Sequence, residues 1–252
     1  MNIAVAHRSI PLSMEETHVW IASAVNLEPA TLARLEVTLS STERIQASKF
    51  RFLPDRTRYI FAHGVLREIL SRYVGKLPNQ LTFVVNDFGK PSLKNAGPDG
   101  PILFNMSHSE GLVIVAVTLD CCVGVDTEFI RPIEDIDSLA QRFFTTSEQA
   151  LVQAAPVDRK EHVFYRCWTR KEAYIKAIGK GFSIPLDSFD SSLALGAQGR
   201  WLQTTNDSLA DNTWWLSDLA LLEGYVGALV VEGTVPKITY VTWSQNGASV
   251  SG

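Results

Sequence analysis

The chain has 252 residues, 46% of them hydrophobic, with 23 Lys and Arg against 27 Asp and Glu and a formal net charge of −4 at pH 7. That length carries one large domain or two smaller ones with an ample core. The small negative charge excludes a whole-protein field for nucleic acid or an anionic membrane, and the run Leu112-Val-Ile-Val-Ala-Val117 is far below the roughly 20 residues of a membrane-spanning helix.

The opening residues 1–11 meet His7 and Arg8 before any apolar signal-peptide core, which predicts a cytoplasmic protein. Cys121 and Cys122 are adjacent and Cys167 sits in a helical pattern; without metal-type spacing, all three are predicted to be buried thiols. From Arg44 to Lys94, ten bases face three acids, so this half either holds a polyanionic small molecule or presents a solvated basic face.

Taken in chain order, Phe61, Val65, Ile69 and Tyr73 recur every four residues and predict a helix over 59–74, closed by Gly75. A short strand follows at 81–85, a turn at 86–91, a second loop at 95–101, and a further loop at 103–109 carrying Ser107 and His108. Strands at 112–118 and 122–128 are predicted to form a hairpin. The second half repeats this order, with a helix over 159–178 and strands near 189–195, 213–216, 224–231 and 238–243; residues 244–252 read as a frayed tail. The repetition predicts an α+β fold of two similar α/β subdomains, 1–120 and 121–252.

Asp126 and Glu128 lie two apart in the second of those strands, so both carboxylates leave one face. Two adjacent carboxylates stay ionised in a partly buried site only if a cation neutralises them, for which Mg²⁺ is suited; the alternative is a solvated strand edge. Glu172 and Lys176 share a helix face four residues apart, as site residues or as a surface ion pair. His108 and Ser107 either grip a phosphate or are structural, and Gly89-Lys90-Pro91 presents a lysine on a tight turn without the glycine spacing of a Walker loop.

In order, Gly89-Lys90-Pro91, Phe104-Asn105-x-Ser107-His108-Ser109, Gly124-Val-Asp126-x-Glu128, Phe143-Phe144-Thr-x-x-Glu148 and Trp168-x-x-Lys171-Glu172-Ala-x-x-Lys176 resemble the Sfp-like 4′-phosphopantetheinyl transferases over about residues 42–189. The resemblance implies a pseudo-twofold fold with coenzyme A bound between the halves. It implies transfer of the phosphopantetheine arm to a serine of an apo acyl, peptidyl or polyketide carrier protein, releasing adenosine 3′,5′-bisphosphate. Asp126, Glu128 and Glu172 would hold Mg²⁺, Glu172 would deprotonate the serine, and Lys176 and His108 would complete the catalytic set. Arg44, Lys49, Arg58, Gly89, Lys90, Pro91, Asn105, Ser107, His108, Asp126 and Lys176 would bind coenzyme A.

Thr127, between the two acids, is expected on the opposite strand face. A monomer is expected, docking its carrier through Arg131 to Phe144, with Arg142 and Lys171 as carrier-facing charges. The carboxylates alone also permit another Mg²⁺-dependent phosphotransferase or a nucleotide hydrolase, which coenzyme A dependence separates. A chain that binds carriers without turnover is the non-enzymatic alternative.

Overall fold

The computed structural model describes residues 10–94, 97, 100–192, 199–202, 213–233, 235–245 and 249–250. The first half carries β1 (Glu16–Ser23), α1 (Pro29–Thr38), α2 (Ser41–Ser48), α3 (Leu53–Val74), β2 (Phe83–Val85), β3 (Pro91–Leu93), β4 (Ile102–Ser109) and β5 (Leu112–Leu119). The second carries β6 (Val123–Phe129), α4 (Ile136–Phe143), α5 (Thr146–Ala154), α6 (Lys160–Ile178), β7 (Arg200–Leu202), β8 (Trp214–Asp218), β9 (Tyr225–Glu232), β10 (Lys237–Thr242) and β11 (Ser249–Val250).

Three sheets result, in the orders β11-β10-β1-β5-β4, β2-β3 and β6-β9-β8-β7. Alternation along β5 explains its uninterrupted apolar sequence. Val113, Val115 and Val117 join the core under α3, whereas Leu112, Ile114 and Ala116 join the core between the two larger sheets. On β9, likewise, Ala228 and Val230 face α6 while Leu229 and Val231 face the inter-sheet core. The layers therefore run α3, first sheet, second sheet, α6. Left-handed glycines end both long helices, Gly75 at φ 64° and Gly179 at φ 71°.

Several expectations are corrected. The pair at 112–118 and 122–128 is not a hairpin: β5 pairs with β1 and β4, and β6 pairs with β9. The hairpin is β4–β5, whose two-residue turn places Glu110 at φ 45° and Gly111 at φ 94°, the left-handed geometry of a tight strand reversal. Residues 103–109 are accordingly strand, not loop. Asn105, Ser107 and Ser109 all point from β4 at the unpaired edge of β6, where Asn105 Oδ1 accepts from Val125 N at 2.9 Å, Ser107 Oγ from Thr127 N at 3.3 Å and Ser109 Oγ from Phe129 N at 3.1 Å. Polar side chains thus satisfy an edge that would otherwise leave buried donors unpaired.

The strand expected at 238–243 in the second half is β10, and it pairs in parallel with β1 of the first sheet. Within the expected tail, Ser249 and Val250 pair with β10. Cys121 and Cys122 are half-buried and only Cys167 is buried, with its thiol pushed up to about 12 by burial. Residues 1–9, most of the loop at 95–101 and residues 193–198 of the expected strand at 189–195 lie outside the described set.

Candidate active site

Strand β6 and helix α6 come into contact at Gly124, where a Cβ would meet Ala173 O at 2.0 Å and Ala177 N at 2.3 Å. Only glycine permits that approach. It brings the helix face bearing Glu172 and Lys176 over the strand face bearing Asp126 and Glu128. Lys176 Nζ donates to Asp126 Oδ1 at 2.6 Å and to Ser107 Oγ at 3.1 Å, and Ser107 Oγ donates to the same Asp126 oxygen at 2.7 Å. The i,i+4 alternative is thereby replaced, because the ammonium bonds across to β6 and not to Glu172.

Six of the expected site residues, Ser107, His108, Asp126, Glu128, Glu172 and Lys176, line one cavity of 360 Å³, together with Met106 and Trp168. Its electrostatics are those of crowded acids. Burial raises the Glu172 pKa, the negative charge of Asp126 raises it further, and Lys176 only partly opposes them. Burial also raises Glu128, against a hydrogen bond from Ser109 Oγ at 2.8 Å. Asp126 Oδ2 and Glu172 Oε1 are buried without a hydrogen-bond partner among the described residues. Among the described residues, no three His, Cys, Asp or Glu side chains converge on a single point. The donor chemistry nonetheless fits a hard divalent cation: two orphaned carboxylate oxygens, a third carboxylate on the same cavity, and like-charge repulsion that a cation relieves.

His108 is exposed at the end of the row Ile102, Phe104, Met106. Crowding by surrounding protein lowers its pKa, and the charge of Lys176 lowers it further, which keeps the imidazole neutral near pH 7. Thr127 is buried on the opposite strand face and donates to Val226 O at 3.0 Å.

A second cavity of 290 Å³ joins the first through Met106, Glu172 and Lys176 and adds Gly89, Lys90, Pro91 and Asn105. It shares Asn105, Met106 and Pro91 with a third, larger cavity of 890 Å³ between α2, α3 and the β2–β3 hairpin. The three form one cleft from the carboxylates to the basic half. Arg44 lines the large cavity, with Nη1 donating to Leu39 O at 2.8 Å. Lys49, the exposed C-cap of α2, and Arg58, paired with Glu110 at 2.9 Å and Asp55 at 3.3 Å, do not. Lys90 lies at the cleft, but its Nζ donates to two backbone carbonyls, Ala177 O at 2.8 Å and Val123 O at 3.1 Å. Asn105 Oδ1 is committed to Val125 N.

Lys171 is corrected outright as a carrier-facing charge. It is 0% exposed, as is its partner Glu148 at 2.7 Å, and Nζ also donates to Leu186 O and Phe189 O at 2.7 Å each. Arg142 is exposed, with its guanidinium over the Phe143 ring, and Phe143 packs edge-on against Trp168. Phe144 is buried.

The sequence reading did not single out Met106, Trp168, His63, Arg67 or Glu43 as cleft residues. Trp168 had a signal, since it precedes Glu172 by four residues on the same helix face. Glu43 had one as well: Ser40-x-x-Glu43 is a capping box, formed here at the start of α2. Burial pushes Glu43 up, but hydrogen bonds from His63, Arg67 and Ser40 outweigh it and bring the pKa down to about 2.

Residues 122–230 match the 4′-phosphopantetheinyl transferase superfamily, and residues 27–120 match the N-terminal region described as 4′-phosphopantetheinyl transferase, N-terminal. The chain is 35% identical over 225 residues to the 4′-phosphopantetheinyl transferase HetI of Nostoc sp., covering 89% of this chain and 91% of that one. It is 34% identical to psf-1 of Bacillus pumilus, covering 66% and 69%, and 33% identical to Sfp of Bacillus subtilis strain 168, covering 62% and 66%.

Proposed function

Because this chain belongs to the 4′-phosphopantetheinyl transferase superfamily, we propose that it moves the phosphopantetheine arm of coenzyme A onto a serine of an apo carrier protein in a Mg²⁺-dependent reaction. The observation that carries the site assignment is the pair of buried oxygens, Asp126 Oδ2 and Glu172 Oε1, that lack a hydrogen-bond partner among the described residues, beside the Lys176 ammonium. Asp126, Glu128 and Glu172 are the residues that would hold Mg²⁺, which when bound neutralises the pyrophosphate.

The chain's own groups supply the rest. Glu172 takes the proton from the incoming serine hydroxyl. The serine oxygen forms a bond to the phosphorus bearing pantetheine, and the bridging P–O bond breaks to release adenosine 3′,5′-bisphosphate. Lys176, whose ammonium bridges Asp126 and Ser107, would offset the charge that builds on the leaving phosphate. Neutral His108 donates a hydrogen bond to a phosphate oxygen at the outer end of the cavity. Arg44 faces the nucleotide side within the large cavity.

The halves 1–120 and 121–252 supply the nucleotide side and the carboxylate side respectively, Arg44 coming from the former and Glu128 and Glu172 from the latter, with β10 and β11 returning to complete the sheet of the first half. No described helix is long and apolar enough to cross a membrane. A cytoplasmic monomer acting without nucleic acid or membrane is the setting proposed. Incubating an apo carrier protein with coenzyme A, with Mg²⁺ or with a chelator, tests both levels. A phosphopantetheine mass gain on serine is expected with Mg²⁺ and is lost with the chelator; equal gain in both overturns the metal dependence.

A further inference from the structure

The hairpin β2–β3 crosses from the first half to the end of α6, and its contacts there are specific. Asn86 Nδ2 donates to Gly179 O at 2.8 Å, while Asn86 Oδ1 accepts from Phe88 N and Lys90 N and so closes the turn. Lys90 Nζ reaches Ala177 O at 2.8 Å and Val123 O at 3.1 Å. The last carbonyls of a helix have no partner within it, and a cation there also meets the negative end of the helix dipole. Gly179 admits this contact twice over: its backbone is left-handed, and a Cβ would meet Lys90 Cδ at 2.8 Å.

The two carbonyls that share the ammonium belong to different elements. Ala177 follows Lys176 on α6, and Val123 opens the strand that carries Asp126. We propose that Lys90, seated by Asn86, is a positioning residue: a pin between α6 and β6 that sets the spacing of Glu172 and Lys176 against Asp126, with no phosphate contact required of it. Gly124 lets the helix approach the strand, and Lys90 fixes how far along the strand it sits. The inference rests on the transferase reading above and departs from the expectation that Lys90 grips coenzyme A.

Two variants of the full chain test it. Asn86→Asp keeps both acceptor bonds of the turn and removes the donor to Gly179 O; Lys90→Met keeps the stem and removes the ammonium. Each is expected to lower kcat for carrier modification at least fivefold while the KM for coenzyme A stays within twofold. Amide hydrogen exchange over residues 175–181 is expected to rise in both. A tenfold rise in KM for coenzyme A with kcat retained would make Lys90 a ligand contact and overturn the pin, as would kcat within twofold of the unaltered chain. If Lys90→Met does not fold, Asn86→Asp decides alone. Failure of the unaltered chain to modify any carrier strikes the functional reading, whereas unchanged exchange over 175–181 strikes the pin.

Discussion

One carboxylate oxygen of Asp126 lies 2.6 Å from Lys176 Nζ, and the other has no hydrogen-bond partner among the described residues. The group is therefore half neutralised by its own protein. Its remaining oxygen and Glu172 Oε1 are buried at a cost in free energy, since the negative charge of each acid opposes ionisation of the other.

That cost gives the first prediction. Glu172→Gln and Asp126→Asn should each slow phosphopantetheine transfer roughly 10³-fold, about 4 kcal/mol of transition-state stabilisation. Glu172→Gln should also melt higher than the unaltered chain in chelator, because it removes a repelled carboxylate and keeps the shape. Single-turnover mass spectrometry and a thermal melt check the two halves. Near-normal turnover of either variant would remove its residue from the site.

The second prediction concerns pH. Glu172 and Glu128 have folded-state pKa values raised by burial first. Such a carboxylate stabilises the fold fully below its unfolded value of about 4.3 and loses that contribution as pH rises through the folded value. A divalent cation acts in the opposite sense, because it binds the deprotonated acids. The rise in Tm on adding Mg²⁺ should therefore be larger at pH 8 than at pH 5.5, and Glu172→Gln should flatten the difference. A Mg²⁺ shift independent of pH over that range would count against these ligands.

Glu43 runs the other way. Its pKa of about 2 lies below the unfolded value, so its contribution is present above about 4.3 and is lost as pH falls toward 2. Arg67, 2% exposed, depends on it through a 2.7 Å bond. Glu43→Gln should destabilise the protein by about 2–3 kcal/mol at pH 7 and make the acid limb of the stability curve shallower. Urea melts at pH 7 and pH 3 measure both effects; equal losses at the two pH values would contradict the assignment.

How much of this was legible in the sequence depends on the range over which each signal acts. The long helices were readable because Phe61, Val65 and Ile69 repeat locally and Gly75 and Gly179 mark the stops. The shared face of Asp126 and Glu128 was equally local. Strand β4 was not, because Asn105, Ser107 and Ser109 are turn-forming residues whose partners, the amides of β6, lie about twenty residues on. Lys171 misled for a related reason: a lysine on a helix reads as surface, and only Glu148, Leu186 and Phe189 together make its burial tolerable.

Lys171 and Arg142, alike in charge, should thus behave differently. Lys171→Met leaves the buried Glu148 carboxylate without its cation and should cost about 3–5 kcal/mol, part of which Lys171→Met with Glu148→Leu recovers. Arg142→Glu should leave stability within about 0.5 kcal/mol and raise the KM for an acidic carrier protein, more so at low salt. Unchanged carrier kinetics at low salt would move the docking surface away from Arg142.

The parallel pairing of β10 with β1 joins residues at opposite ends of the chain, from Glu16 against Lys237 to Ile21 against Thr242. As the protein emerges from the ribosome, β1 must wait for everything between them before its outer edge is covered. The nascent first half therefore exposes an apolar strand edge until β10 has been made, and its final zipping carries a large loop-closure entropy. Refolding should end in a slow step that forms this contact, and a chain released before β10 would be the species most prone to self-association.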